Sequence, residues 1–430
     1  MSIGWDMYRL CEKMFPYCRS ITGNGVRQTL SALQEVYPEL TIHEVPSGTP
    51  VFDWTVPKEW NINDGWIKNS KGEKIVDFKD TNLHIMGYSL PVDKDVTLDE
   101  LKEIVYTQSD QPDAIPYVTS YYKERYGFCM TQEQKNSLQE DTYHIYIDSE
   151  LKNGSLTYGE IIIPGETKEE ILLSTYVCHP SMANNELSGP AVAIYLAKWL
   201  KGLEKRRYTY RIIFIPETIG SITYMSQENH LEWLKEHVVA GYNLSCVGDD
   251  RTYSIVDSRY GDTLADKAIK NVLHFIYPDF KDYSFMKRGS DERQYNAPGV
   301  ELPVCAFSRS KYGEYPEYHT SKDDMGLISP SGLTGAYNAM KTCLEALEAN
   351  RYYKVQCYGE PQLGKRGLYP TISQKGSYDE VEAMVNFIAY ADGRNDLFDI
   401  SNRIDIPVKD LVPIVKKLAD NKLVLEVPAE

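Results

Sequence analysis

No two of the eight cysteines are spaced as a C-x-x-C pair, which argues against a structural zinc knuckle. No apolar run approaches the ~18–20 residues of a membrane helix. The opening Met1-Ser2-Ile3-Gly4-Trp5-Asp6 lacks the basic and apolar segments of a secretion signal. Positive charge is in short supply as well. Lys and Arg number 46 against 62 Asp and Glu, a formal charge of −16, which disfavours a large nucleic-acid surface. These absences predict a soluble cytoplasmic protein with reduced thiols, no membrane association and no nucleic-acid partner. What is present is ordinary globular material, 42% hydrophobic and 25% charged, in a chain of 430 residues that has room for two or three domains.

The chain is organised around residues 171–189. Ile171-Leu172-Leu173 opens a buried strand, which breaks into small and polar residues around His179. After Gly189 a helical stripe follows, with Ala191, Ile194, Tyr195, Ala197 and Leu200. A strand that ends in a polar loop and feeds a helix is half of a βαβ unit, and ligands bind at the carboxyl ends of such strands. Further strands are predicted at 210–216, 241–247 and 300–307, alternating with helices, so a mostly parallel sheet with helices on both faces is expected. Two helices and a strand are predicted before residue 47.

Between about 47 and 164 the texture changes to short β-like pieces, turns and prolines. Asn153-Gly154 reads there as a hairpin signal. We expect a β-rich subdomain at 47–164, inserted into an α/β domain made of 1–46 and 165–355. A linker is expected from Tyr358 to Lys375, followed by a tail from Ser377 that resembles a winged helix, over 376–430. Acidic residues outnumber basic ones in that tail, so packing or partner docking is expected of it rather than DNA reading.

Four polar residues stand at strand ends or in adjoining loops: His179, Glu217, Asp249 and His319. Each has a plain structural reading, as a loop histidine, a first-turn acid, a turn with a salt bridge and a helix-entry residue. Together they are the donors that zinc takes, imidazole nitrogen and carboxylate oxygen, with a further carboxylate to serve as general base to a bound water.

Their order, with Ala183-Asn184-Asn185-Glu186-Leu187-Ser188-Gly189, the Glu217…Gly220-Ser221 turn and Tyr318-His319-Thr320, resembles the di-zinc aminopeptidase family, which also includes glutaminyl cyclases and transferrin receptors. Residues 289–295 and 317–323 look like hallmarks of a bacterial aminopeptidase-like group with a small inserted domain and a C-terminal winged helix, sometimes named for polysaccharide biosynthesis. The resemblance implies a zinc-aminopeptidase-like mixed sheet. It implies that His179 and His319 each hold metal, that Asp249 is a second ligand beside His179, and that Glu217 is the general base or a ligand. The family has two adjacent glutamates where this chain has Glu217 and Thr218, and a metal-bridging aspartate where it has Asn185. A neutral amide cannot hold two cations by charge, so one zinc rather than two, weak metal binding, or none is expected. Asp291, Glu292 and Arg293, with Arg309 and Tyr318, are candidates for substrate contact. The expected function is zinc-dependent hydrolysis of a small peptide or amide. The alternatives are a non-catalytic binding protein on a degenerate scaffold and a winged-helix regulator. Homo-oligomerisation is left open.

Overall fold

A computed structural model describes residues 2–121, 123–369 and 379–428. The chain divides into two compact units, Met1–Ala265 with Lys281–Tyr337, and Asp266–Phe280 with Asn338–Glu430.

The first unit is built on an eight-stranded mixed sheet. Its central strand, Glu170–Tyr176, is buried along its whole length, as expected of a strand covered on both faces. It runs parallel to Thr209–Ile215 on one side and to Val238–Leu244 on the other. Val304–Ser308 extends the parallel set. Ser155–Ile163 and Thr41–Pro46 add antiparallel strands at one edge. Ser254–Val256, antiparallel to Val304–Ser308, carries Lys281–Tyr283 at the other. Helix Ser188–Lys201 lies on the central strand, with Ile3–Met14 and Asn24–Val36 packed against it.

The inserted region has its own antiparallel sheet, of Lys74–Asp77, Glu59–Lys68, Thr142–Lys152 and Val92–Thr97 in that order. Its core gathers Ile67, Val96, Leu101, Phe128, Tyr143 and Ile145. Two expectations are corrected here. The strand at 155–163 belongs to the central sheet, so the insertion ends before it. Asn153-Gly154 is not a hairpin turn, because the strands on its two sides enter different sheets. The glycine is required by close approach, since a Cβ on Gly154 would lie 2.3 Å from Glu59 Oε2.

Glu59 ties the insertion to the sheet. Arg27 donates to both of its oxygens at 2.8 and 2.7 Å, and the Ser155 backbone N–H donates at 3.0 Å. The Arg27 guanidinium holds the Glu59 carboxyl down at about 2, below its usual range. A depressed folded-state pKa stabilises above the unfolded value and is lost as pH falls. Glu59→Gln is therefore expected to cost about 1–2 kcal/mol above pH 5, allowing for the solvent that reaches Arg27. The difference from wild type should shrink as pH falls from 4.5 toward 2, and urea unfolding across that range checks it. A gap that stays constant with pH would show that the ion pair contributes nothing.

In the second unit, strands Asp392–Asp396, Tyr352–Val355 and Val424–Val427 form an antiparallel sheet in that order. Helices Asp379–Tyr390, Leu397–Ile404 and Val408–Asp420 pack together beside it. Asp396 and Asp399 form a capping box on the second helix. This is a winged helix, and it starts earlier than 376, because its middle strand is 352–355. Of the expected linker, Tyr358–Tyr369 includes one 3₁₀ turn at Gly364–Arg366. Residues 370–378, with the rest of the linker and Ser377, lie outside the described residues.

Candidate active site

The chain leaves the central strand to one neighbour and then crosses over to the other. The crevice at the strands' carboxyl ends is therefore the topological switch point. Tyr176 leads through Val177 and Cys178 to His179, and Ile215 leads through Pro216 to Glu217. Between them the chain forms one turn of π-helix, Ala183–Leu187, that runs into helix Ser188–Lys201. Such turns are frequent at functional sites. Gly189 allows the approach, because a Cβ there would lie 2.3 Å from Thr175 Oγ1 and 2.4 Å from the Leu244 carbonyl.

His179 and Glu217 meet. His179 Nε2 lies 3.6 Å from Glu217 Oε2. On the other side of the ring, His179 Nδ1 lies 2.9 Å from Glu186 Oε2. A ring nitrogen that donates to a carboxylate fixes the tautomer, which leaves the Nε2 lone pair free. Burial, followed by the Arg19 charge, pushes His179 down to about 3, so the ring is neutral. Burial pushes Glu186 up, and Arg19 opposes the shift. Arg19 is itself buried, with Nε donating to the His179 carbonyl at 2.8 Å and lying 3.7 Å from Glu186 Oε1. Sequence reading gave Arg19 no role.

Glu217 is set by an unusual turn. The Ile219 N–H donates to the Glu217 carbonyl at 2.8 Å across Thr218, whose φ and ψ are 65° and −73°. This is the rarer, strained form of γ-turn, and here a β-branched residue adopts it. Asp291 holds Thr218 in place, accepting from its N–H and from Ser221 Oγ at 2.7 Å each. Burial, then Asp291, pushes the Glu217 carboxyl up, while a fifth of its side-chain surface still faces solvent.

His319 is the third member. Its ring centroid lies 5.2 Å from that of His179, it stacks on Tyr318 at 3.8 Å, and its Nε2 is buried without a hydrogen-bond partner. Its φ is 58°, a left-handed conformation also found at Ser181, Thr218 and Cys246 nearby in the chain's loops. The inserted region braces it: the Tyr117 N–H donates to the His319 carbonyl at 2.9 Å, and Ile115 exchanges bonds with Ser321.

The three residues share one cavity of about 490 Å³. Tyr117, Thr119, Tyr121 and Trp54 from the insertion form part of its wall, with Ile21, Cys178, Thr218, Ile219 and Arg293. Tyr117 and Tyr121 join through their hydroxyls at 2.9 Å. These aromatic residues carry no motif, and in sequence they are indistinguishable from packing tyrosines.

Other candidates are placed elsewhere. Asp249 is not positioned as a ligand. Its oxygens accept from Ser310 N and Oγ, the Arg251 N–H and Asn184 Nδ2, all within 3.0 Å. Asn185 Nδ2 donates to Tyr176 Oη at 2.6 Å, which leaves its Oδ1 buried without a partner. Asp323 holds the turn from below, accepting from the N–H groups of Asn184 and Asn185 at 2.6 and 3.0 Å. Glu292 is a buried structural acid that accepts from Gly289, Ser290 and Tyr312. Arg309 donates to the Thr252 carbonyl at 2.6 Å and stacks on Tyr253, away from the cavity. Tyr318 backs His319, and Asp291 backs Thr218. Of the five proposed substrate contacts, only Arg293 lines the cavity. Among the described residues, one group of three donors lies within 4.8 Å, Cys178, His179 and Glu186. It uses the Nδ1 side of His179, and burial raises the Cys178 thiol well above its usual range, so this group orients the ring.

Residues 8–350 match the model of a domain of unknown function, DUF4910, and residues 350–426 match that of a winged helix-turn-helix. The chain belongs to the DUF4910 family. A relative from Clostridium acetobutylicum, named for polysaccharide biosynthesis and an aminopeptidase-like domain, is 48% identical over 401 residues, 93% of this chain and 91% of its own. A crystal structure from the same organism, described as that of a "putative peptidase", superposes with a TM-score of 0.92 at 44% identity, covering 99% and 96% of the two chains. A zinc aminopeptidase from Bacillus subtilis superposes at 0.57 with 12% identity, over 80% and 94%, which shows a shared fold. This DUF4910 chain is thus aminopeptidase-like in fold, with a winged helix at its C-terminal end.

Proposed function

We propose that this protein is a hydrolase of aminopeptidase type that acts on a small peptide or amide and uses one zinc ion rather than two. The observation that carries the proposal is the approach of His179 Nε2 to Glu217 at 3.6 Å in a cavity also lined by His319, whose buried Nε2 has no hydrogen-bond partner. The donor types fit one zinc. His179 and His319 would hold it. When bound there, zinc would polarise a scissile carbonyl and lower the pKa of a bound water. A second ion lacks support, since Asn185 brings no charge and Asp249 is fully hydrogen-bonded.

The chain's own residues do the rest. Glu217 takes a proton from the attacking water and returns it to the leaving amine. Glu186 keeps the Nδ1 proton of His179 in place, so Nε2 stays a donor of electrons. Tyr117, Tyr121 and Trp54 cover the cavity and limit the substrate's size. The setting named for the Clostridium relative, polysaccharide biosynthesis, accommodates an amide carried on a sugar as well as a free peptide. A cytoplasmic location is supported by eight free cysteines. No helix of the described residues is long and apolar enough to cross a membrane.

Metal analysis of chelator-free protein tests the proposal. About one zinc per chain is expected, rising toward two in Asn185→Asp, and His319→Ala should lose it. A zinc content near zero that added zinc does not restore would favour the competing reading, a binding protein on a degenerate peptidase scaffold. The neutral Asn185 is the observation on that side.

A further inference from the structure

Among the described residues, Arg293 is the one cationic side chain lining the cavity. It lies on the short helix Glu292–Tyr295, and its Nη2 donates to Thr218 Oγ1 at 2.5 Å. Thr218 cannot swing away, because Asp291 holds its N–H within the strained turn. The guanidinium is therefore anchored at one corner. Arg251 closes onto Glu317 and Arg259 onto Glu301. Arg293 forms no ion pair among the described residues, although Glu217 shares its cavity. A guanidinium presents five N–H donors in a planar fork that matches a carboxylate edge. Thr218 uses one of them, and the others are left for a ligand.

We propose that Arg293 sets substrate specificity by pairing with a carboxylate at one end of the substrate, while the scissile amide lies over His179 and Glu217. This rests on the hydrolase reading of the same cavity. It narrows the substrate to an acyl amino acid or dipeptide with a free terminal carboxylate, a size that a cavity of about 490 Å³ accommodates. Phosphate also suits an arginine fork. Here, however, the single guanidinium balances a monoanion and leaves the second charge of a dianion uncompensated.

Calorimetric titration separates these cases without requiring turnover. The probes are leucylglycine, leucylglycinamide and the aminomethylphosphonate analogue of leucylglycine. The wild-type protein should bind leucylglycine about 10–100-fold more tightly than the amide, which corresponds to roughly 1.4–2.8 kcal/mol. Arg293→Gln should remove that preference by weakening the acid alone, and Arg293→Lys should restore part of it. Arg293 is exposed, so unchanged thermal unfolding is expected of both variants. Equal affinity for acid and amide, a preference that survives in Arg293→Gln, tighter binding of the phosphonate, or no binding of any probe overturns the proposal. Arg293-dependent binding of leucylglycine without hydrolysis would sink the hydrolase reading and leave the carboxylate site standing.

Discussion

Glu217→Gln is expected to lower kcat by about 10²–10⁴-fold with little change in KM, because it removes the proton shuttle and keeps the size of the side chain. Gln cannot take a proton from water. It still fits the space at 3.6 Å from His179 Nε2, and the turn across Thr218 is backbone and remains. The fold should therefore survive with an unchanged melting temperature. The check is steady-state hydrolysis of leucylglycine by zinc-loaded wild type and variant, with zinc content measured on the same samples. A variant within about threefold of wild type, at equal zinc, would remove Glu217 from the chemistry. A variant that loses both zinc and activity would instead make Glu217 a ligand.

Arg19→Met is expected to destabilise the protein by about 3–5 kcal/mol, the range for removing one partner of a buried charged pair. Arg19 is 1% exposed, and it is the nearest cation to the fully buried Glu186. It also donates to the carbonyls of Met14 at 2.7 Å and His179 at 2.8 Å. Methionine fills much of the volume but donates nothing, so two buried carbonyls lose a donor and Glu186 loses its counter-charge. Urea unfolding monitored by tryptophan fluorescence measures the loss, and Arg19→Lys should fall between the two. A cost below about 1 kcal/mol would mean that the loop around His179 rearranges freely, contrary to the packing described.

How much of this was legible in sequence depends on the type of residue. His179 and Glu217 could be placed because each follows a short apolar strand, and strand ends are where such folds bind ligands. The same signal pointed to Asp249. What it could not reveal was Asn184, 65 residues away, and Ser310, 61 residues away, which occupy both carboxylate oxygens. Arg19 was invisible for a similar reason. It reaches the His179 carbonyl across 160 residues, and a single arginine between Cys18 and Ser20 has no pattern. The β-rich insertion was legible as a change of texture. Its end was misplaced, because Asn153-Gly154 has the composition of a tight turn although tertiary contacts send its two flanks into different sheets. The winged helix was recognised from its helices. Its middle strand was missed, because that strand comes before the linker rather than after it.

The way the insertion is attached has a bearing on how the cavity can open. Thr41–Pro46 and Ser155–Ile163 pair with each other, so the inserted region leaves and rejoins the sheet between partner residues Pro46 and Ser155. Two adjacent strands usually make a natural hinge. Ile115 and Tyr117, however, are stitched by main-chain bonds to Ser321 and His319. Swinging the insertion outward would carry the His319 imidazole along with it. The wall that the insertion gives the cavity is thus fixed to the loop that carries His319.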